Sequence, residues 1–278
     1  MTRTIGLLIV HGMGDTRPDF YQELTTPLAK RLQSDWDRIA WRAVYYQGEL
    51  QQNQEAIFRR MRPQIRWEGL RELMLYGFSD AASLEHKKEL PDSPYYRAQR
   101  LILQRLDELY DELGGVNAPL AVVAQSLGGH VISNYIWDAQ QPIAFAGVWS
   151  GQSDFSAPSA SALDKFRRMR TLQRFLTTGC NIPVFVAGHS TIEPIDRAKL
   201  GAAFKWINQF DPDDALGWPL RQLSPKYDAL VEDERVNAGG DTLLSAIKSL
   251  TPYGHTQYWT TSKVLDRIAA ELRALLHA

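Results

Sequence analysis

The chain has 278 residues, of which 44% are hydrophobic and 23% charged, with 19 glycines and 14 prolines; this balance excludes collagen-like, low-complexity and disordered classes. Lys and Arg number 31 against 32 Asp and Glu, a formal net charge of −1, which argues against a protein built to grip nucleic acid. The single cysteine, Cys180, excludes an internal disulfide, and no apolar run approaches the length of a membrane span or a signal-peptide core. The expectation is therefore one large cytoplasmic domain without stable membrane insertion.

The first element in chain order is the apolar, β-branched run Ile5–Val10, which predicts a buried strand. Phe20, Leu24, Leu28 and Leu32 recur four apart and predict a helix. A second strand is expected over 40–46, so the chain opens strand–helix–strand, the start of a parallel sheet with helical crossovers. Residues 48–90 are expected to be helical but interrupted at Pro63, Gly69 and Gly77. Ser93 and Pro94 form a helix start, serine as cap and proline in the first turn, and Gly114-Gly115 form its stop. A strand over 120–124 leads into a helix over 127–139 that lacks a conventional cap. Strands are expected over 143–149, 182–187, 204–210 and, despite three acidic residues, 230–236. Helices are expected over 163–176 and over Ser262–Leu276.

The segment Val122-Val123-Ala124-Gln125-Ser126-Leu127-Gly128-Gly129-His130 runs from a buried strand straight into a helix with serine at the junction. Such a turn is tight and lifts the hydroxyl clear of the sheet. Ala124 and Gly128 supply the small residues needed where strand and helix approach. The following helix aims its N-terminal N–H groups at the place where negative charge would develop. The alternative is a serine that merely caps a helix.

This segment resembles the nucleophile turn of the α/β-hydrolase superfamily, with Ala124 where glycine is usual. The resemblance implies an α/β-hydrolase fold: a mostly parallel sheet, helices on both faces and helical insertions. It also implies that His11-Gly12-Met13-Gly14, after the first strand, forms the oxyanion turn. The donors would then be the backbone N–H groups of Met13 and Leu127, with His11 holding the turn. A phosphate loop is the weaker alternative there, because the third glycine is missing and Asp15 would repel phosphate.

In this superfamily the acid and then the histidine follow the serine. His255 lies in a turn-rich loop just before the last helix, where the family keeps its base. His189 follows a predicted strand ahead of any acid candidate. The acid is sought in Asp211-Pro212-Asp213-Asp214, directly after the 204–210 strand. Asp214 opens Asp-Ala-Leu-Gly-Trp-Pro-Leu, which resembles the acid loop of certain intracellular lipases, including DDHD-type phospholipases, and of bacterial hydrolases carrying Gln-Ser-Leu-Gly. Asp214 is preferred, and Asp211 and Asp213 remain alternatives.

The resemblance implies a serine esterase or lipase-like enzyme acting through Ser126, Asp214 and His255. It would need no cofactor and no metal, and would take a small-molecule ester or lipid-like substrate. A thioesterase, amidase or acyltransferase would use the same residues, and a non-catalytic scaffold would need none of them. Two stretches, about 48–90 and 140–181, exceed the minimal fold and are lid or cap candidates. The first holds Phe58, Ile65, Trp67, Leu70, Leu73, Met74, Leu75 and Phe78, which are candidates for an acyl pocket or for extra core.

Overall fold

A strand without polar side chains needs cover on both faces, and β1 (Ile5–Val10) is buried at every position. The computed structural model describes residues 2–13, 16–49, 51–150, 161–238 and 255–278. Among these, β1 joins β2 (Ile39–Val44), β3 (Leu120–Gln125), β4 (Leu172–Thr178), β5 (Lys205–Phe210) and β6 (Val231–Arg235). The sheet order is β2-β1-β3-β4-β5-β6, and every neighbouring pair is parallel. The register sets Val10 beside Ala124 and Thr178 beside both Gln125 and Gln209, so β1, β3, β4 and β5 end nearly level.

The described helices are α1 (Gln22–Leu32), α2 (Gln51–Met61), α3 (Glu68–Glu85), α4 (Pro94–Glu112), α5 (Leu127–Gln140), α6 (Ala162–Arg167), α7 (Ile182–Val186), α8 (Pro225–Leu230) and α9 (Ser262–Leu276). Strand residues alternate between two cores, as the period of two requires. Leu8, Val10, Val122 and Ala124 pack with α4 and α5, whereas Leu7, Ile9, Ala121 and Val123 pack with α1 and α9. The result is a parallel sheet with helices on both faces, as expected. Ser93 caps α4 by accepting the Tyr96 N–H at 3.1 Å, with Pro94 in the first turn.

Four local expectations are corrected. The helix expected over 163–176 ends at Arg167, and β4 follows at Leu172–Thr178. Arg174, inside that stretch, is a buried residue of β4 whose guanidinium pairs with Glu271 of α9 and donates to the Ala203 carbonyl. A central strand tolerates this charge because its partner is buried with it. The strand expected over 182–187 is α7, with Pro183 in its first turn, where a missing N–H breaks no helical bond. No strand forms over 143–149; a 3₁₀ turn, Gly147–Trp149, lies there and leaves Ile143 and Phe145 exposed. Finally, Pro63 does separate α2 from α3, but Gly69 and Gly77 lie inside α3. At Gly77 helix α3 runs close beside Met13, where a Cβ would sit 2.6 Å from the sulfur of that flexible side chain. The 140–181 stretch therefore contains a core strand, and residues 151–160 within it lie outside those described.

Candidate active site

Parallel strands bring their carboxyl ends to one edge, and doubly wound folds bind ligands outside that edge. The His11-Gly12 turn follows β1, Ser126 follows β3, and residues 211–214 follow β5. Ser126 has φ 50° and ψ −123°, in the half of the map that L residues rarely occupy. Close packing holds it there. A Cβ on Gly128 would lie 2.4 Å from the His11 carbonyl oxygen, and one on Gly12 would lie 2.7 Å from the Ser126 Cβ. The first turn, the serine and the head of α5 thus meet with no space for a side chain at either glycine. Ser126 makes no capping bond to α5, because its hydroxyl is engaged elsewhere.

That engagement is with His255. Its Nε2 lies 2.6 Å from Ser126 Oγ, and its Nδ1 lies 2.7 Å from Asp214 Oδ2. A carboxylate accepts and does not donate, so Nδ1 carries the ring proton and Nε2 accepts the serine hydroxyl. All three residues are buried. Gln125 Nε2 donates to the His255 carbonyl at 3.0 Å and ties the histidine to the end of β3. Residues 251–254, the rest of the expected loop before His255, lie outside those described.

Asp214 has three donors: His255 Nδ1, the Tyr258 hydroxyl at 2.9 Å and the Leu216 N–H at 2.9 Å. Burial pushes its carboxyl up, but the bonds from His255, Leu216 and Tyr258 outweigh burial and hold it below its ordinary value. The neighbouring carboxylates do other things. Asp211 accepts the Asp213 N–H at 3.0 Å and the Ala238 N–H at 2.7 Å, which ties the loop to the chain beyond β6. Asp213 is exposed. Tyr258 is a site residue that sequence reasoning missed; it stands three positions after His255, in a stretch where no motif marks it.

The other histidines do not join this row. His86, His189 and His277 are exposed. His189 follows α7, not a strand. His130 is buried in α5, stacked on Phe185 with centroids 4.0 Å apart, and its Nε2 lies 3.0 Å from Asn134. Cys180 is buried, which pushes its thiol up to about 12, far from a reactive thiolate. Among the described residues, no cluster of His, Cys, Asp and Glu is arranged to hold a metal ion, and no helix is long and apolar enough to cross a membrane.

Gly14 and Asp15 of the first turn lie outside the described residues, but His11, Gly12 and Met13 do not. The Tyr46 N–H donates to His11 Nε2 at 3.3 Å, so Nδ1 bears the proton and donates to the Gly12 carbonyl at 2.6 Å. The imidazole stacks on the Tyr46 ring at 4.3 Å. Burial lowers its pKa from 6.5 to about 4, against the opposing effect of the Gly12 bond. The unfolded chain therefore takes up a proton here below pH 6.5, whereas the folded chain does not until about pH 4. The stability contributed by a neutral His11 is full above that range and lost as pH falls through it, by about 3 kcal/mol in total. Urea midpoints across this range are expected to fall for the wild type and to flatten for His11→Asn; an imidazole that titrates by NMR at its ordinary value would sink this account.

The 48–90 stretch forms α2, α3 and their connection. Phe58, Met61, Ile65, Met74, Leu75 and Phe78 line an open groove of about 700 Å³, and Trp67 is largely exposed.

No protein-family model and no curated protein matches the chain. Among solved structures it is similar to esterase PE8, at 11% identity over 99% of this chain and 94% of that one, with a TM-score of 0.45. It is also similar to a structure assigned to the alpha/beta hydrolase superfamily from Xanthomonas campestris pv. campestris, at 10% identity over 99% of each chain and a TM-score of 0.41. A third is the carboxylesterase Cest-2923 from Lactobacillus plantarum WCFS1, at 11% identity over 99% of this chain and 86% of that one, with a TM-score of 0.45. Likenesses this distant carry no residue correspondence. By its own topology, a parallel sheet of six strands among the described residues with helices on both faces and a strained serine between β3 and α5, the chain has an α/β-hydrolase fold.

Proposed function

We propose that the protein is a serine hydrolase that cleaves carboxylic esters through an acyl-enzyme. The observation that carries this reading is the buried row Ser126 Oγ, His255 Nε2 and Nδ1, Asp214 Oδ2, with both links at hydrogen-bond length. Ser126 Oγ attacks the ester carbonyl carbon as its proton passes to His255 Nε2. Asp214 keeps the imidazole in the Nδ1–H tautomer and stabilises the imidazolium. The oxyanion is held by the N–H groups of Met13 and Leu127. Leu127 is the first residue of α5, a position whose N–H has no intrahelical acceptor, and the helix dipole adds to its pull. The C–O bond to the alcohol breaks as His255 returns the proton to the leaving oxygen. Water then attacks the acyl carbon by the same path and restores Ser126.

A fluorophosphonate probe tests this directly, because it reacts with an activated serine whatever the natural substrate. The wild type is expected to be labelled stoichiometrically and to hydrolyse nitrophenyl esters, with thioester and anilide analogues assayed beside them. An unlabelled wild type would overturn the reading. Faster turnover of a thioester or an anilide would keep the mechanism and change the substrate class.

A further inference from the structure

We propose that Gln47 and Asp80 are positioning residues for the oxyanion donor of Met13, so that helix α3 acts as a clamp on the catalytic turn. The inference rests on the serine-hydrolase reading and extends it to residues outside the triad.

The Gly12 carbonyl is approached by two donors, His11 Nδ1 at 2.6 Å and Gln47 Nε2 at 3.3 Å, and the Tyr46 hydroxyl is shared between it at 3.3 Å and the His11 carbonyl at 3.1 Å. A peptide unit is planar and trans, so its N–H points opposite to its C=O. Donors that grip the Gly12 oxygen therefore fix the direction of the Met13 N–H. They also polarise the peptide, which strengthens that N–H as a donor. Met13 itself is packed against Gly77 of α3, and Gly12 is packed against Ser126.

Gln47 does more than add one bond. Its Oε1 accepts the Thr16 N–H at 3.0 Å, so a single side chain clips both ends of the turn. An amide can be flipped, and Asp80 sets which way this one points: its Oδ2 takes the same Gln47 Nε2 at 3.3 Å, while Oδ1 takes Gln54 Nε2 at 2.8 Å. A carboxylate there accepts only Nε2 and rejects Oε1. Gln47 and Asp80 are fully buried and Gln54 nearly so. Asp80 and Gln54 come from α3 and α2, within the stretch that the sequence offers as a lid or cap candidate. These two helices thus supply the outer support of the oxyanion turn.

The test is steady-state kinetics of the full chain on a nitrophenyl ester. The oxyanion is absent from the bound ester and forms only in the tetrahedral intermediate and the transition states beside it, so loosening its donor lowers kcat and leaves KM unchanged. Removing an oxyanion donor outright costs roughly 10²–10³ in turnover. Asp80→Asn and Gln47→Met leave the donor in place but unguided, and each is expected to lower kcat by roughly 10-fold or more at constant KM. A trifluoromethyl ketone, which mimics the tetrahedral adduct, should lose affinity in parallel. Because the two residues act in series, the double variant should lose no more than Gln47→Met alone. If Gln47→Met fails to fold, Asp80→Asn decides the matter by its kcat and its ketone affinity. Unchanged kcat in Asp80→Asn, or additive losses in the double variant, would overturn the inference and leave the proposed function standing. A wild type that neither hydrolyses esters nor takes the fluorophosphonate would remove the function and this inference with it.

Discussion

Ser126→Ala is expected to lower kcat on a nitrophenyl ester by roughly 10⁶, to the level that binding and the oxyanion donors alone sustain. The magnitude follows from the chemistry. Without Oγ there is no acyl-enzyme, and His255 Nε2 loses its hydrogen-bond partner. The residual rate belongs to water attacking a bound ester. The substitution should leave the fold intact. Ser126 holds φ 50° through backbone contacts, including its N–H to the Thr178 carbonyl at 2.9 Å, and alanine inherits the same backbone with no new clash. Near-wild-type thermal unfolding together with lost turnover and lost labelling is the expected combination. Retained labelling in Ser126→Ala would move the nucleophile to another residue.

Asp214→Asn is expected to lower kcat by roughly 10⁴, and Asp211→Asn to leave turnover nearly unchanged. At Asp214, one oxygen takes both His255 Nδ1 and the Tyr258 hydroxyl, and the other takes the Leu216 N–H. An asparagine can satisfy only one side. With its oxygen toward His255, its amide opposes the Leu216 N–H, donor against donor. With its nitrogen toward His255, the imidazole must move its proton to Nε2, and then it cannot take the serine proton. Either outcome weakens the base without removing a single heavy atom. Asp211 holds the Asp213 and Ala238 N–H groups, so its asparagine variant should show its effect in stability, about 1 kcal/mol per weakened bond. Parallel kinetics and urea titrations of the two variants check both halves. A large kinetic loss at Asp211 with a small one at Asp214 would reverse the assignment.

The same loop shows where sequence reading stops. Three carboxylates within four residues have the same chemistry, and each could face His255 in some turn geometry. Which one does so depends on how β5 ends and where Tyr258 and Ala238 meet the loop. Those contacts come from 27 to 47 residues away. No local pattern encodes them. Tyr258 illustrates the point again, since its hydroxyl matters through Asp214, a residue 44 positions earlier.

The sequence by itself determined the elements whose signals are local. The apolar strands β1 and β3, the capped start of α4, the amphipathic α9 and the serine between a buried strand and a helix were all legible, because burial period, capping chemistry and steric limits act within a few residues. Only the tertiary structure decided β4. Its Arg174 is admissible in a central strand because Glu271, 97 residues later, is buried beside it. It also decided the place of Gly77, which reads as a helix breaker but lies inside α3 beside the Met13 side chain. Gln47 and Asp80 are likewise ordinary polar residues in the sequence. Folding removes them from water and points them at one another and at the Gly12 carbonyl, and a buried polar group must then be used where it lies.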